Sequence, residues 1–228
     1  MVLSSPHVRP LALGEQIAHR LRVDIISGVI ADGTHLAEDH LATQFDVSRG
    51  PVRDALRQLQ SEGLVESRRK RLYARSLGMR DVDELYSLRE NLESLALRLA
   101  VEHAGVRDWD GVQRLVDTMR AASDAGDQQA FAAADMDFHT SFYRLSGHRR
   151  LAEAWRPYQH TFDVLFEMSN TPDMSAAVVD HQEFLDIIRA GDADSAVRRL
   201  HVHLIKAKAH IRDVIGDLES EKPAGASL

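Results

Sequence analysis

Apolar positions recur at helical spacing through most of this 228-residue chain. From Leu36 to Glu66 it reads LAEDHLATQFDVSRGPVRDALRQLQSEGLVE. Leu36, Leu41 and Phe45 form a short stripe, Val47 closes a turn, and Val52, Ala55, Leu56 and Leu59 repeat at intervals of three and four residues. That pattern predicts a helix, a tight turn and a second helix. Ser48 stands where it caps the second helix, and Pro51 falls in its first turn, where a missing N–H costs little. Gly63 marks the end of that helix. Leu64 to Glu66 and Leu72 to Arg75 then read as two short strands around a basic tip, Ser67-Arg68-Arg69-Lys70-Arg71. The whole is the pattern of a winged helix-turn-helix.

Burying the apolar stripe turns Arg49, Arg53 and Arg57 along one edge toward the outer face of the second helix. An arginine early in such a helix can hydrogen-bond guanine through two N–H groups, whereas later ones more often meet phosphate. The basic tip is placed to follow the DNA backbone or enter the minor groove. Ser48, Arg49, Arg53, Arg57, Arg69 and Lys70 are therefore the candidate DNA contacts.

Beyond residue 80 strand-like alternation disappears. Helical periods run over about 81–104, 108–125, 127–146, 148–169, 174–190 and 193–217. Gly105, Gly126, Gly147 and Gly191 read as C-terminal stops, and Asp81, Asp127 and Asp192 as caps. The expected fold is mainly α: a winged helix-turn-helix over 11–76, a linker over 77–80, and an all-helical antiparallel bundle over 81–217. Flexible ends are expected at 1–10 and 218–228.

Charge follows the same division. The chain carries a net −7, yet residues 1–78 hold 11 Lys and Arg against 9 Asp and Glu, and residues 79–228 hold 17 against 26. Between Ser48 and Arg75 the balance is 8 basic against 3 acidic. A polyanion is drawn to one end and repelled by the other. The absence of cysteine excludes disulfides and thiolate metal sites. No apolar run nears membrane-spanning length, and MVLSSPHVRP lacks a secretion signal, so the expectation is a cytoplasmic protein with no membrane partner.

Inside the bundle, polar residues fall where apolar ones belong. Phe131, Phe138, Phe142 and Leu145 make a stripe, with Asp135 on its edge and His139 one turn on. A lone buried carboxylate costs several kcal/mol unless paired or metal-bound, so Asp135 requires a partner. His181 shares the face of Phe184, Leu185 and Ile188, while His201 and His203 flank opposite edges of the Val197, Leu200, Leu204, Ala207 and Ile211 stripe. One carboxylate and three imidazoles from three helices suit a divalent transition metal; zinc, nickel, manganese and iron are all compatible. Periodicity leaves the choice between His201 and His203 open.

The N-terminal pattern resembles the GntR superfamily of bacterial transcription regulators. Ile26, Gly28, Leu36, Glu38, Leu41-Ala42, Val47-Ser48-Arg49, Pro51-Val52-Arg53, Ala55-Leu56, Leu59 and Glu62-Gly63-Leu64-Val65 carry the likeness. Two departures stand out. Ala31-Asp32-Gly33 has no proline before its glycine, and the wing tip has Arg68-Arg69-Lys70-Arg71 in place of the usual glycine. The helical segment resembles the FCD effector domain of the FadR subgroup. Asp135-x3-His139, Asp180-His181, His203-Leu204, Gly191-Asp192 and Leu88-Arg89-Glu90-x-Leu92-Glu93 match its pattern. The resemblance implies that Asp135, His139, His181 and His203 are the metal ligands, and it excludes His148, which stands where the family often has Asn. Four protein ligands leave positions for a small organic acid, held through its carboxylate and a neighbouring oxygen. Arg89 is the second anchor the resemblance implies, a surface ion pair with Glu93 being the alternative.

The function expected is a ligand-responsive repressor, a homodimer on a palindromic operator. A metal-dependent enzyme fused to a DNA-binding module is the alternative from another class. It lacks support from HExxH, GxSxG, P-loop or GxGxxG motifs, none of which occurs. A regulator sensing the metal itself is the third reading.

Overall fold

The computed structural model describes residues 12–105 and 108–220, so the expected flexible segment 1–10, Leu11 and residues 221–228 lie outside the described residues. The chain divides into two compact units between Ser76 and Leu77. The first contains α1 (Leu13–Ile26), α2 (Glu38–Gln44), α3 (Arg49–Ser61), β1 (Val65–Arg68) and β2 (Arg71–Ala74). Helix α1 packs on α3, and the core includes Ile17, Leu21, Ile25, Val52, Leu56 and Leu59, all essentially sealed from water. Burying each such side chain stabilises the unit by about 1.5–3 kcal/mol.

Ser48 occupies the N-cap of α3, but its side chain makes no capping bond, contrary to expectation. The usual donors to such a cap are the second and third helical N–H groups, and the third residue here is Pro51, which has none. At its other end α3 closes as the sequence implies. Gly63 takes φ +81°, its N–H reaches Gln60 O at 3.2 Å, and the Leu64 N–H reaches Leu59 O at 3.0 Å. The C-cap residue, Glu62, turns inward and accepts two bonds of 2.6 Å from Arg22 on α1.

The wing differs from its expected form. Strands β1 and β2 pair from Val65↔Ala74 to Arg68↔Arg71, so the five-residue tip shrinks to a two-residue turn, Arg69-Lys70. Both residues lie in the left-handed region, with φ +51° and +66°. A two-residue hairpin of this hand ordinarily uses Asn-Gly, because a Cβ there costs about 1–2 kcal/mol per residue. The chain segment before α2 lines the other edge of β2, through the Leu36 N–H to Leu72 O and the Ala74 N–H to Thr34 O.

The second unit contains α4 (Met79–His103), α5 (Trp109–Ala125), α6 (Gln128–Leu145), α7 (Arg149–Ser169), α8 (Met174–Arg189) and α9 (Ala193–Ser220). Helix α4 begins two residues before the expected position. Gly78 is its N-cap, and Asp81, expected there, sits in the first turn and accepts the Gly78 N–H at 3.0 Å. Helix α9 continues through Ser220, so 218–220 are helical rather than part of a loose tail. Gly105 follows α4 without adopting the left-handed conformation of the other three stops. Asp127 and Asp192 do cap their helices, accepting the Ala130 and Ser195 N–H groups. His148 caps α7 by accepting the Leu151 N–H through Nδ1, the office an asparagine performs at such a position. Helix α6 packs against α4, α5 and α7, which buries Phe131, Phe138 and Phe142 completely. No described helix is long and apolar enough to cross a membrane.

Candidate metal centre and DNA-reading face

Helix α6 projects Asp135 and His139 side by side, four residues apart, toward His181 of α8 and His203 of α9. One ligand atom from each lies within 4.8 Å of all the others. Asp135 Oδ1 is 3.4 Å from His139 Nε2 and 3.5 Å from His181 Nε2, and His139 Nε2 is 3.0 Å from His203 Nε2. The structure thus brings together all four residues expected to bind metal, and it selects His203 over His201. The His201 ring instead faces outward and meets Glu90 at 2.6 Å.

What surrounds these rings decides their chemistry. His139 Nδ1 bonds Glu93 of α4, and His181 Nδ1 bonds the Ala177 carbonyl at 2.8 Å. His203 Nδ1 faces Asp180 at 3.8 Å. A neutral imidazole that spends its one N–H on an outer acceptor carries a lone pair on its other nitrogen. Three ring nitrogens and a carboxylate oxygen converge, and those of His139 and His203 carry such lone pairs. Asp135 Oδ1 and His181 Nε2 are buried with no hydrogen-bond partner. This donor set fits a divalent transition metal.

Ionisation favours the same state. Burial pushes the Glu93 carboxyl up, but His139 and Arg89 outweigh it and bring it down to about 2. Burial also opposes ionisation of Asp135, which the three histidines, His181 foremost, nevertheless hold well below the usual carboxylate range. Burial lowers the His139 and His203 imidazoles, the latter to about 4. At neutral pH the cluster thus offers ionised carboxylates and two unprotonated rings. His181 is the exception: burial lowers it, yet the Asp135 carboxylate raises it more.

Arg89 departs from its expected position. Neither exposed nor among the residues lining the adjoining cavity, it lies wholly buried, its Nε donating to Glu93 at 3.0 Å. The rings of Tyr86, Trp155, Phe162 and Phe166 stand 5.0–5.9 Å from its guanidinium carbon. Its two terminal nitrogens and the hydroxyls of Tyr86 and Tyr143 have no hydrogen-bond partner. The pair with Glu93 forms, but in the core rather than on the surface.

A cavity of about 330 Å³ opens beside Asp135, His181 and His203. Ala132, Ala177, Phe166 and Ile211 supply apolar wall, and Lys206 supplies a cation. Thr171 and Pro172, from the loop between α7 and α8, close one side. Gln128 fixes that loop through both backbone groups of Thr171, and His210 fixes it through the Ser169 and Asn170 carbonyls.

In the first unit, Arg49 and Arg53 lie on the outer face of α3 with 65% and 50% of their side chains exposed. Arg57, a turn further on, is exposed too, as are Ser48, Arg69 and Lys70. Residues 13–71 match the model of the bacterial regulatory proteins of the gntR family, and residues 84–206 match the FCD domain. The chain belongs to the GntR family.

This GntR-family protein is similar to the gluconate operon transcriptional repressor of Bacillus licheniformis, 26% identical over 88% of this chain and 86% of that protein. A probable D-xylose utilization operon transcriptional repressor of Paenarthrobacter nicotinovorans is 28% identical over 92% and 95%. Among solved structures, McbR/YncC of E. coli shares the fold with a TM-score of 0.66, at 22% identity over 93% and 99% of the two chains. The chain is a DNA-binding transcription regulator with an FCD domain, and not an enzyme.

Three participants in this GntR-family regulator escaped the sequence reading as site residues: Glu93, Asp180 and Lys206. Arg89-x3-Glu93 was visible as an i, i+4 pair, but spacing alone cannot distinguish an exposed pair from a buried one. Asp180 stood in the matched motif, yet its contact with His203 depends on how α8 meets α9. Lys206 lies one turn beyond His203 on the same helix face, and that periodicity was the available signal.

Proposed function

We propose that this regulator is a homodimeric, cytoplasmic repressor that reads a palindromic operator through α3 and the wing, and that its FCD domain holds a divalent metal and a small organic acid. One observation carries the metal and effector part: three imidazole nitrogens and the Asp135 oxygen converge beside a cavity, two of the four atoms without a hydrogen bond. The ion would be held by Asp135, His139, His181 and His203. It would supply concentrated positive charge for a carboxylate.

Charge supports an acid as the effector. Arg89, Glu93 and Asp135 together carry one negative charge, Asp180 and Lys206 beside the cavity offset each other, and a divalent ion would leave one positive charge unbalanced. A single carboxylate restores neutrality in surroundings where net charge is costly. The cavity volume falls in the range of small-molecule sites. It exceeds what a bare ion requires, which favours effector sensing over metal sensing. Arg89 acts in this scheme by keeping Glu93 ionised and in place, and Glu93 orients the His139 ring. Lys206 takes over as the cation in contact with the cavity.

The DNA part rests on the outward presentation of Arg49, Arg53 and Arg57 on α3 and of Arg69 and Lys70 at the wing. Ser48, whose hydroxyl is not spent on a cap, is available to phosphate. A gel-shift assay against the DNA upstream of its own gene should show binding that the double substitution Arg49→Ala with Arg53→Ala abolishes. Retained binding would refute the assignment of α3. Elemental analysis and native mass spectrometry of the purified protein should find one divalent ion per chain, lost on His139→Ala. An operator complex released by a hydroxy acid only when the ion is present supports the effector reading, and release by metal alone refutes it.

A further inference from the structure

The two arginines at the start of α3 are both engaged, and by adjacent residues of a different helix. Arg53 donates to Glu38 from Nε and Nη2 at 3.1–3.4 Å, and Arg49 Nε pairs with Asp39 at 2.5 Å. Glu38 and Asp39 are the first two residues of α2. They favour the N-terminus of that helix electrostatically, and exposed ion pairs add little stability. A purely structural reading ends there.

The geometry offers more. Both arginines turn Nε toward α2, and Arg53 adds Nη2 to that contact; with 65% and 50% of their side chains exposed, each guanidinium still reaches solvent. Presenting two parallel N–H groups to guanine requires that orientation to be fixed, since an unrestrained arginine serves any phosphate equally well. The carboxylates also put negative charge beside the reading face, where a misplaced phosphate meets repulsion and a base edge does not. Discrimination against wrong partners often relies on such a repulsive element.

We infer that Glu38 and Asp39 are positioning residues that set sequence specificity: they orient Arg53 and Arg49 toward base edges and discourage their use as general phosphate clamps. This rests on the reading of α3 as the recognition helix. Freed from its carboxylate, each arginine becomes an additional phosphate contact. Non-specific affinity should then rise and become more sensitive to salt, by up to about 0.9 in the slope of log K against log salt per arginine released.

The test uses the full-length protein and two duplexes of equal length: one enriched by the unaltered protein from a random library, the other a scramble of the same composition. Glu38→Gln and Asp39→Asn are expected to lower the ratio of enriched to scrambled affinity at least fivefold, with a steeper salt slope on the scrambled duplex. Arg53→Lys, which keeps the charge and loses the fork, should lower the ratio in the same way. A fall of less than fivefold in the carboxylate variants, or equal changes on both duplexes, overturns the inference. Arg53→Ala separates the two levels. If it weakens enriched-duplex binding while Glu38→Gln leaves the ratio intact, only the positioning role is lost; if it changes neither affinity, the recognition-helix assignment fails and takes this inference with it.

Discussion

Each unit buries an arginine–glutamate pair, and the two pairs end differently. In the winged unit, Arg22 and Glu62 join through two bonds of 2.6 Å, and neither contributes a buried polar atom without a partner. In the bundle, Arg89 spends only Nε on Glu93, keeps two unmet nitrogens, and passes the carboxylate on to His139. The first pair leaves no buried polar atom unmet and ties α1 to the end of α3. The second is open: the unmet nitrogens of Arg89 lie among aromatic rings, and Glu93 goes on to hold a candidate metal ligand. Identical side chains thus end in different surroundings, and the difference lies in whether hydrogen-bonding capacity is satisfied. Unmet polar groups in a protein interior are expensive, so their accumulation around Glu93 points to use.

The largest effect is expected where the pair is closed. Glu62→Gln strands a buried guanidinium, and calorimetry of the full-length protein should show the winged unit destabilised by about 3–5 kcal/mol. Replacing both partners, Arg22→Met with Glu62→Leu, should recover most of that loss, because a matched apolar pair avoids the desolvation of two charges. If the double variant is as unstable as the single one, Arg22 and Glu62 have a role beyond mutual satisfaction and the contrast is broken.

Glu93→Gln takes the counter-charge from Arg89 in the same way, but it should register at the candidate metal site as well. The amide can still accept from Arg89 but no longer offers His139 a charged partner, and loss of such an outer carboxylate typically weakens metal binding 10- to 100-fold, or about 1.4–2.7 kcal/mol. Competition with a chromogenic chelator measures this directly. Unchanged affinity accompanied by lowered stability would make the bundle pair as purely structural as the other.

Acid should expose the same asymmetry in metal-free protein. The folded Glu93 carboxyl lies near 2, below its ordinary 4.5, so its stabilisation is complete above about pH 4.5 and is lost as pH falls toward 2. Burial holds His203 near 4, below its ordinary 6.5; the unfolded chain therefore takes up that proton first, and stability declines as pH falls from about 6.5 to 4. Urea unfolding between pH 2.5 and 7 should show both declines. Glu93→Gln should shrink the lower one, which Asp135 shares, and leave the upper.

Much of this arrangement was legible beforehand, for identifiable reasons. The bundle helices fall within about three residues of their periodic segments because glycines and aspartates mark the ends, and the i, i+4 spacing of Asp135 and His139 already placed two candidate ligands on one face. Burial was not legible. Arg89 and Glu93 have the spacing of countless surface pairs, and only a cage built by Tyr86 from its own helix and by Trp155, Phe162 and Phe166 from α7 takes them out of water. Arg22 and Glu62 stand 40 residues apart, and no local pattern links them. The capping failure of Ser48 was readable in principle, from the proline three residues on.

The smallest effect concerns backbone rather than charge, and it asks whether unrelieved cost marks a site in the winged unit too. Arg69 and Lys70 hold a turn that glycine adopts freely, so Lys70→Gly should stabilise that unit by about 1 kcal/mol or slightly more. Strain retained in a folded protein tends to collect where function requires a particular side chain. The same substitution should therefore weaken DNA binding and reduce its salt slope by about 0.9, the share of one phosphate contact. Lys70→Asn offers the control, since asparagine tolerates the left-handed region better than lysine but brings no charge. Both variants should lose the same slope, with glycine gaining the more stability. If Lys70→Gly gains stability at no cost in DNA affinity, unmet cost in this molecule marks a site only where it is electrostatic, and the wing tip is strained without consequence.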